Sequence, residues 1–138
     1  MTNKECVFCK IVKGDIPSAK LYEDENILAF LDIMPANKGH ALVIPKKHYE
    51  VLVDIPIDEL EKLMDELKKI TEAVIEATKA EGFNILMNNK KVAGQLVPHA
   101  HFHIVPRFSD DGLEFKWPSK KYEEGEIEEY KEKIISFL

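Results

Sequence analysis

His99-Ala100-His101-Phe102-His103-Ile104-Val105 places three imidazoles at alternate positions, with apolar residues between and after them. Side chains of a strand alternate between two faces. His99, His101 and His103 therefore share one face, while Ala100, Phe102 and Ile104 turn to the other, toward a core. A lone histidine beside apolar residues is usually a hydrogen-bonded core imidazole. Three in register are different, because burying neutral rings side by side leaves both nitrogens of each ring needing a partner. The whole chain has 5 histidines, so more than half of them sit in this one segment. Two chemistries suit such a face. Three imidazoles hold a catalytic zinc with an open position for water, or one neutral imidazole attacks an electrophilic phosphorus while its neighbours orient it and handle a proton.

Outward from this segment, residues 20–23 and 27–33 read as strands around the turn Asp24-Glu25-Asn26, and residues 41–44 as a third strand between Gly39 and Pro45. Then the period changes. Leu60, Leu63, Leu67, Ile70 and Val74 recur every three or four residues with Glu and Lys between them. Asp58 with Glu61 makes a capping box and Gly82 a stop, which predicts one long amphipathic helix over residues 58–81. Residues 84–88 and 99–105 read as the fourth and fifth strands. Short helices are predicted over residues 6–13 and from Glu126 onward, the latter with Ile127, Tyr130, Ile134 and Phe137 on one face. Five strands interrupted by one long helix, with antiparallel turns, give an α+β class rather than a doubly wound parallel sheet.

The chain has 138 residues, 45% of them apolar and 32% charged, which describes one globular domain over residues 1–138 and excludes disordered or collagen-like architectures. A net charge of -6 argues against nucleic acid as a partner, though not against a nucleotide in a local pocket. The longest apolar run, residues 27–31, is far too short to cross a membrane, and Met-Thr-Asn-Lys-Glu-Cys has no apolar signal region. A cytoplasmic location is the expectation. Cys6 and Cys9 are too close and too few for a disulfide framework. A Cys-x-x-Cys pair by itself is half a zinc site, a dithiol redox pair, or two small core residues.

The triad segment resembles the signature of the histidine-triad (HIT) family of nucleotide hydrolases and transferases, with every apolar position met by Ala100, Phe102, Ile104 and Val105. The likeness continues through Phe8-Cys9-Lys10-Ile11, Ile16-Pro17, Tyr22-Glu23-Asp24, the stretch from Ala29 to Ile33, Gly39-His40, the stretch from Val43 to His48, and Ala93-Gly94-Gln95. It is closest to the Hint branch in its bacterial and archaeal form with an N-terminal Cys-x-x-Cys. The resemblance implies a five-stranded antiparallel sheet and a homodimer. It also implies cleavage at the α-phosphate of purine nucleoside phosphoramidates or dinucleoside polyphosphates (an AMP or GMP moiety) through a nucleotidyl-histidine intermediate.

Residue by residue, the resemblance makes His101 the nucleophile, its second nitrogen held by the carbonyl of His99. His103 sits near the scissile phosphate, and His40 packs beneath the site. Asp32 is to take the ribose hydroxyls, Asn88 and the amides around Gly94 and Gln95 the phosphoryl oxygens, and Phe8, Ile11, Phe30, Ile33 and Leu42 the base. Related Cys-x-x-Cys members imply a structural zinc on Cys6, Cys9, His48 and His99, with no metal in the chemistry. Leu96 departs from the pattern by standing where the branch commonly has a serine that contacts phosphate or leaving group. Trp117-Pro118 is similar to a Trp-Pro that reaches the partner subunit's site, although its spacing differs; by itself Trp117 reads as a packing anchor. The rival readings are a non-catalytic nucleotide-binding module and a hydrolase with zinc on His99, His101 and His103.

Overall fold

The computed structural model describes residues 5–138. In chain order it contains α1 (Val7–Lys13), β1 (Lys20–Glu23), β2 (Ile27–Leu31), β3 (Ala41–Pro45), α2 (Ile57–Thr78), β4 (Gly82–Leu86), β5 (Phe102–Arg107) and α3 (Glu126–Ile135). The strands form one antiparallel sheet in the order β1-β2-β3-β5-β4. β2 and β3 are buried on both faces, which is why their sequences run continuously apolar instead of alternating. On one face Ile27, Ala29, Ala41, Val43 and Ile104 pack against Leu63, Leu67, Ile70 and Val74 of α2. On the other, Leu28, Phe30, Leu42 and Ile44 pack against Cys6, Phe8, Cys9 and Ile11. No helix among the described residues is long and apolar enough to cross a membrane.

The boundaries differ from the pattern-based ones for identifiable reasons. β2 stops at Leu31, because the Asp32 N–H donates to the His40 carbonyl at 2.9 Å and Asp32 Oδ1 accepts the Met34 N–H at 2.9 Å, turning the chain. α2 begins at Ile57 after Pro56, and no side chain caps it, so the Asp58–Glu61 box does not form. Pro56 stands at the N-cap in extended backbone (ψ 146°), and its carbonyl accepts the Leu60 N–H at 2.9 Å as the first bond of the helix. At the other end Lys79 takes the left-handed cap at φ 59°, and Gly82 opens β4 instead of ending the helix.

β5 starts only at Phe102, because the preceding residues leave the ladder: the Ala100 N–H donates to Tyr49 O at 2.7 Å and the His99 N–H to Val97 O at 2.8 Å. His103 nevertheless sits opposite Leu42 and Leu86, on the face expected of it, while Ile104 joins the α2 core. α3 forms where its periodicity predicts it, yet none of its residues is buried, and Trp117, 95% exposed, is no packing anchor among the described residues.

Gly39 fixes the turn that delivers His40. Its φ is +99°, and a Cβ there would lie 2.6 Å from Thr78 Cγ2 at the end of α2. Gly39→Ala is predicted to cost about 1–3 kcal/mol; an unchanged urea midpoint would show that this close approach is not maintained in solution.

Candidate active site

The hydrogen bonds fix which nitrogen carries the proton in His40, His99, His101 and His103. His101 Nδ1 lies 2.6 Å from the His99 carbonyl oxygen. A carbonyl only accepts, so the proton is on Nδ1 and Nε2 is left bare. His99 Nε2 donates to Pro45 O at 2.8 Å, leaving its Nδ1 bare and 3.4 Å from Cys6 Sγ. A second chain of bonds starts at the backbone. The Ala36 N–H donates to His40 Nδ1 at 3.0 Å, so His40 carries its proton on Nε2 and donates it to His103 Nδ1 at 2.9 Å. His103 is thereby held with its own proton on Nε2. One ring presents a lone pair and its neighbour, 4.9 Å away between centroids, presents a donor.

These assignments need neutral rings, and burial supplies them. Desolvation is the first cause of the lowered pKa of every histidine in the chain, with His99 and His103 pushed down to about 4. The Phe8 ring stands edge-on to His101 at 5.1 Å and limits its access to water. Asp32 Oδ2 is 3.7 Å from His40 Nε2.

A cavity of about 430 Å³ opens in front of the two rings, lined by Phe8, Asp32, Ile33, Leu42, Asn88 and Gly94 together with Met34, Leu96 and Val97. A contiguous lobe of about 140 Å³ adds Ile11, Phe30 and their neighbours. The structure thus gathers His101, His103, Asp32, Asn88, Gly94 and all five apolar positions expected at the base. Ile33 is nevertheless 90% exposed, at the mouth and not within a wall.

Two expectations change. The amides of Gly94 and Gln95 are engaged within the loop, donating to Lys91 O at 3.0 Å and Lys90 O at 3.2 Å. The next amides, of Leu96 and Val97, meet no acceptor among the described residues. The buried Gln95 side chain is a brace: it accepts the Lys90 N–H at 2.7 Å and donates to Glu50 O at 2.7 Å. That brace holds Lys90 at φ 72° and ψ 156°, a region tolerated essentially only by glycine. Gly94 is needed where it stands because its φ of +94° is a conformation side-chain-bearing residues rarely adopt.

The three-histidine metal reading also fails on geometry. His99 turns away from the cavity, and His101 and His103 commit their Nδ1 atoms to His99 O and His40. The ligand cluster is elsewhere: one donor atom each of Cys6, Cys9, His48 and His99 lie within 4.8 Å of one another. Both imidazoles present Nδ1, with Cys9 Sγ 3.4 Å from His48 and 3.6 Å from His99. Zinc bonds of about 2.0–2.3 Å in a tetrahedron separate nitrogen and sulfur ligands by about 3.6 Å, so the donor set fits. Burial and the adjacent Cys6 thiol push the Cys9 thiol up to about 11, so this thiol ionises readily only beside a cation. Asp32, His40 and His103 form a second close group, but there the two rings are already hydrogen-bonded to each other.

Residues 13–110 match the family described as HIT domain. The chain belongs to the HIT family. An adenosine 5'-monophosphoramidase of Schizosaccharomyces pombe is 45% identical over 95% of this chain and 96% of its own length. A crystal structure of a HIT family member from Bacillus subtilis superposes with a TM-score of 0.91 at 41% identity, covering 97% of each chain. A zinc-bound HIT protein from Mycobacterium smegmatis superposes with a TM-score of 0.76 at 42% identity, covering 86% of each chain. Sequence reasoning did not find the roles of Ala36 and of the Gln95 side chain in this HIT site. The first acts through a backbone amide, which leaves no residue-type signal. The only sign of the second was its place beside Gly94 before the triad.

The depressed imidazoles carry a sign for stability. The unfolded chain takes up these protons near 6.5 and the folded chain only further down, so stability is intact above about 6.5 and falls as the pH drops toward 4. The urea midpoint is predicted to be clearly lower at pH 5 than at pH 7.5; equal midpoints would mean that the rings are not held neutral by the fold.

Proposed function

We propose that the chain is a nucleotide hydrolase that transfers a nucleoside monophosphate to His101 Nε2 and then to water. What carries this reading is the bare Nε2 of a buried, neutral His101 facing a cavity that holds a neutral donor, a carboxylate and an apolar lobe. The purine base occupies the lobe of Ile11 and Phe30, Asp32 takes the ribose hydroxyls, and Asn88 with the free amides of Leu96 and Val97 meets the phosphoryl oxygens. Nε2 attacks phosphorus in line; the P–N bond to His101 forms as the bond to the leaving group breaks. The electron pair goes to the leaving atom, which takes a proton from solvent when it is an amine. His103, neutral and held by His40, donates a hydrogen bond to the oxygen on which charge builds. Water then attacks phosphorus, the His101 bond breaks, and one proton returns to solvent. The names borne by close relatives support an adenosine phosphoramidate as one substrate.

A structural zinc on Cys6, Cys9, His48 and His99 completes the reading. It supplies a crosslink between the start of α1 and the residues before β5, and no step of the chemistry. A homodimer is supported by β4, whose outer edge is unpaired among the described residues. Phe83, Ile85 and Met64 are 48%, 39% and 38% exposed beside it. A second copy laid along β4 would extend the sheet and cover them. A cytoplasmic location agrees with Cys6 and Cys9 serving as metal-ligating thiols, which a reducing compartment keeps from oxidising. A binding-only module is disfavoured by the bare Nε2, which binding alone does not need.

His101→Ala is predicted to lower AMP release from adenosine 5′-phosphoramidate by at least about 10³-fold while AMP still binds. Equal rates in the two proteins would remove the nucleophile. Metal analysis of the purified protein is predicted to return about one zinc per chain. In Cys9→Ser that metal is lost and Tm falls by about 5 °C or more; a zinc-free wild type of undiminished stability would leave the cluster as packing only.

A further inference from the structure

The two lobes of the cavity share Phe8, Asp32, Ile33 and Leu42, but only one of them contains histidines. With the base in the histidine-free lobe and the ribose on Asp32, phosphorus stands before His101. Whatever is bonded to phosphorus beyond the nucleoside must then extend through the other lobe, past Met34, Leu96 and Val97. Leu96 is 93% exposed there and Met34 83%. One exposed apolar side chain carries little information, but two flanking a single cavity mouth beside half-buried Val97 form a patch that a ligand would take out of water.

The same lobe offers no permanent cation. Asp32 in its lining is an acid, no lysine or arginine lines it, and His101 and His103 are tied through Nδ1 to His99 O and to His40. Lys90 in the adjoining loop is 3.2 Å from Glu50 Oε1 and so already paired. A polyphosphate leaving group would bring several negative charges to a wall with neither lysine nor arginine, beside a carboxylate. An uncharged amine with a hydrocarbon substituent would instead be covered by Leu96.

We infer that Leu96 selects the leaving group, favouring nucleoside phosphoramidates whose amine carries an apolar alkyl or aryl substituent over polar amines and polyphosphates. The inference rests on the nucleotidyl-transfer reading above and names its substrate class. Chemistry is unchanged: the P–N bond of the amide breaks as His101 Nε2 bonds phosphorus, the amine leaves with its electron pair and a solvent proton, and water regenerates His101. The Leu96 side chain touches only the substituent and contributes through apolar contact, while its backbone amide, which Leu96→Ser retains, stays with the phosphoryl oxygens.

The test is a substrate series of adenosine 5′-phosphoramidates with 2-phenylethyl and 2-hydroxyethyl substituents on nitrogen, plus diadenosine tetraphosphate. AMP release is followed with wild type and Leu96→Ser, whose side chain is exposed and outside the core. In wild type the phenylethyl compound is expected to exceed the hydroxyethyl compound in kcat/KM by about tenfold, and in Leu96→Ser by no more than about threefold. The same ratio in both proteins, or faster cleavage of the tetraphosphate than of the phenylethyl amide, overturns the selection while leaving the catalyst in place. If wild type releases AMP from none of them, the nucleotidyl-transfer reading falls and this inference with it.

Discussion

A single short hydrogen bond, from His101 Nδ1 to the carbonyl of His99 at 2.6 Å, decides what the site can be. It is possible only because the chain leaves the β5 ladder before Phe102, so that the carbonyl is free to turn toward the ring two residues on. The same residue's side chain is fixed twice more, by Pro45 O and by the thiols of Cys6 and Cys9. The acceptor is therefore anchored from both sides, and the ring it orients inherits that rigidity. Pre-organisation of this kind costs nothing at the moment of reaction, since it is paid for in folding.

The sheet serves two cores with one set of strands. β2 and β3 give alternate residues to α2 and to α1, and the histidines lie on the α1 side, where the covering layer is thin enough to leave a cavity. On the α2 side Leu63, Leu67, Ile70 and Val74 pack on the sheet and support the strands that hold the rings. Gly39 links the two, packing against the end of α2 while its neighbour His40 reaches beneath His103.

The period-2 placement of the imidazoles was legible from residues 99–105, because side-chain direction in extended chain depends on position alone. The long helix was legible from its apolar spacing. What escaped was decided by backbone groups. Ala36 contributes an amide, the loop amides near Gly94 satisfy one another, and the strand start moved because Ala100 finds Tyr49. The capping box over Asp58 failed for a related reason: Pro56 had already started the helix. Ligand identities around Cys6 came through resemblance, and their convergence on His48 and His99 needed the fold.

The chain of hydrogen bonds that ends on His103 begins at the Ala36 peptide N–H and passes through the His40 ring. No lysine or arginine lines the cavity, so a nucleoside monophosphate formed there would be held by dipoles rather than by an opposite charge. Such an anion has little reason to linger. Product inhibition should accordingly be weak, and turnover only slightly sensitive to ionic strength, because there is no ion pair at phosphorus for dissolved salt to screen.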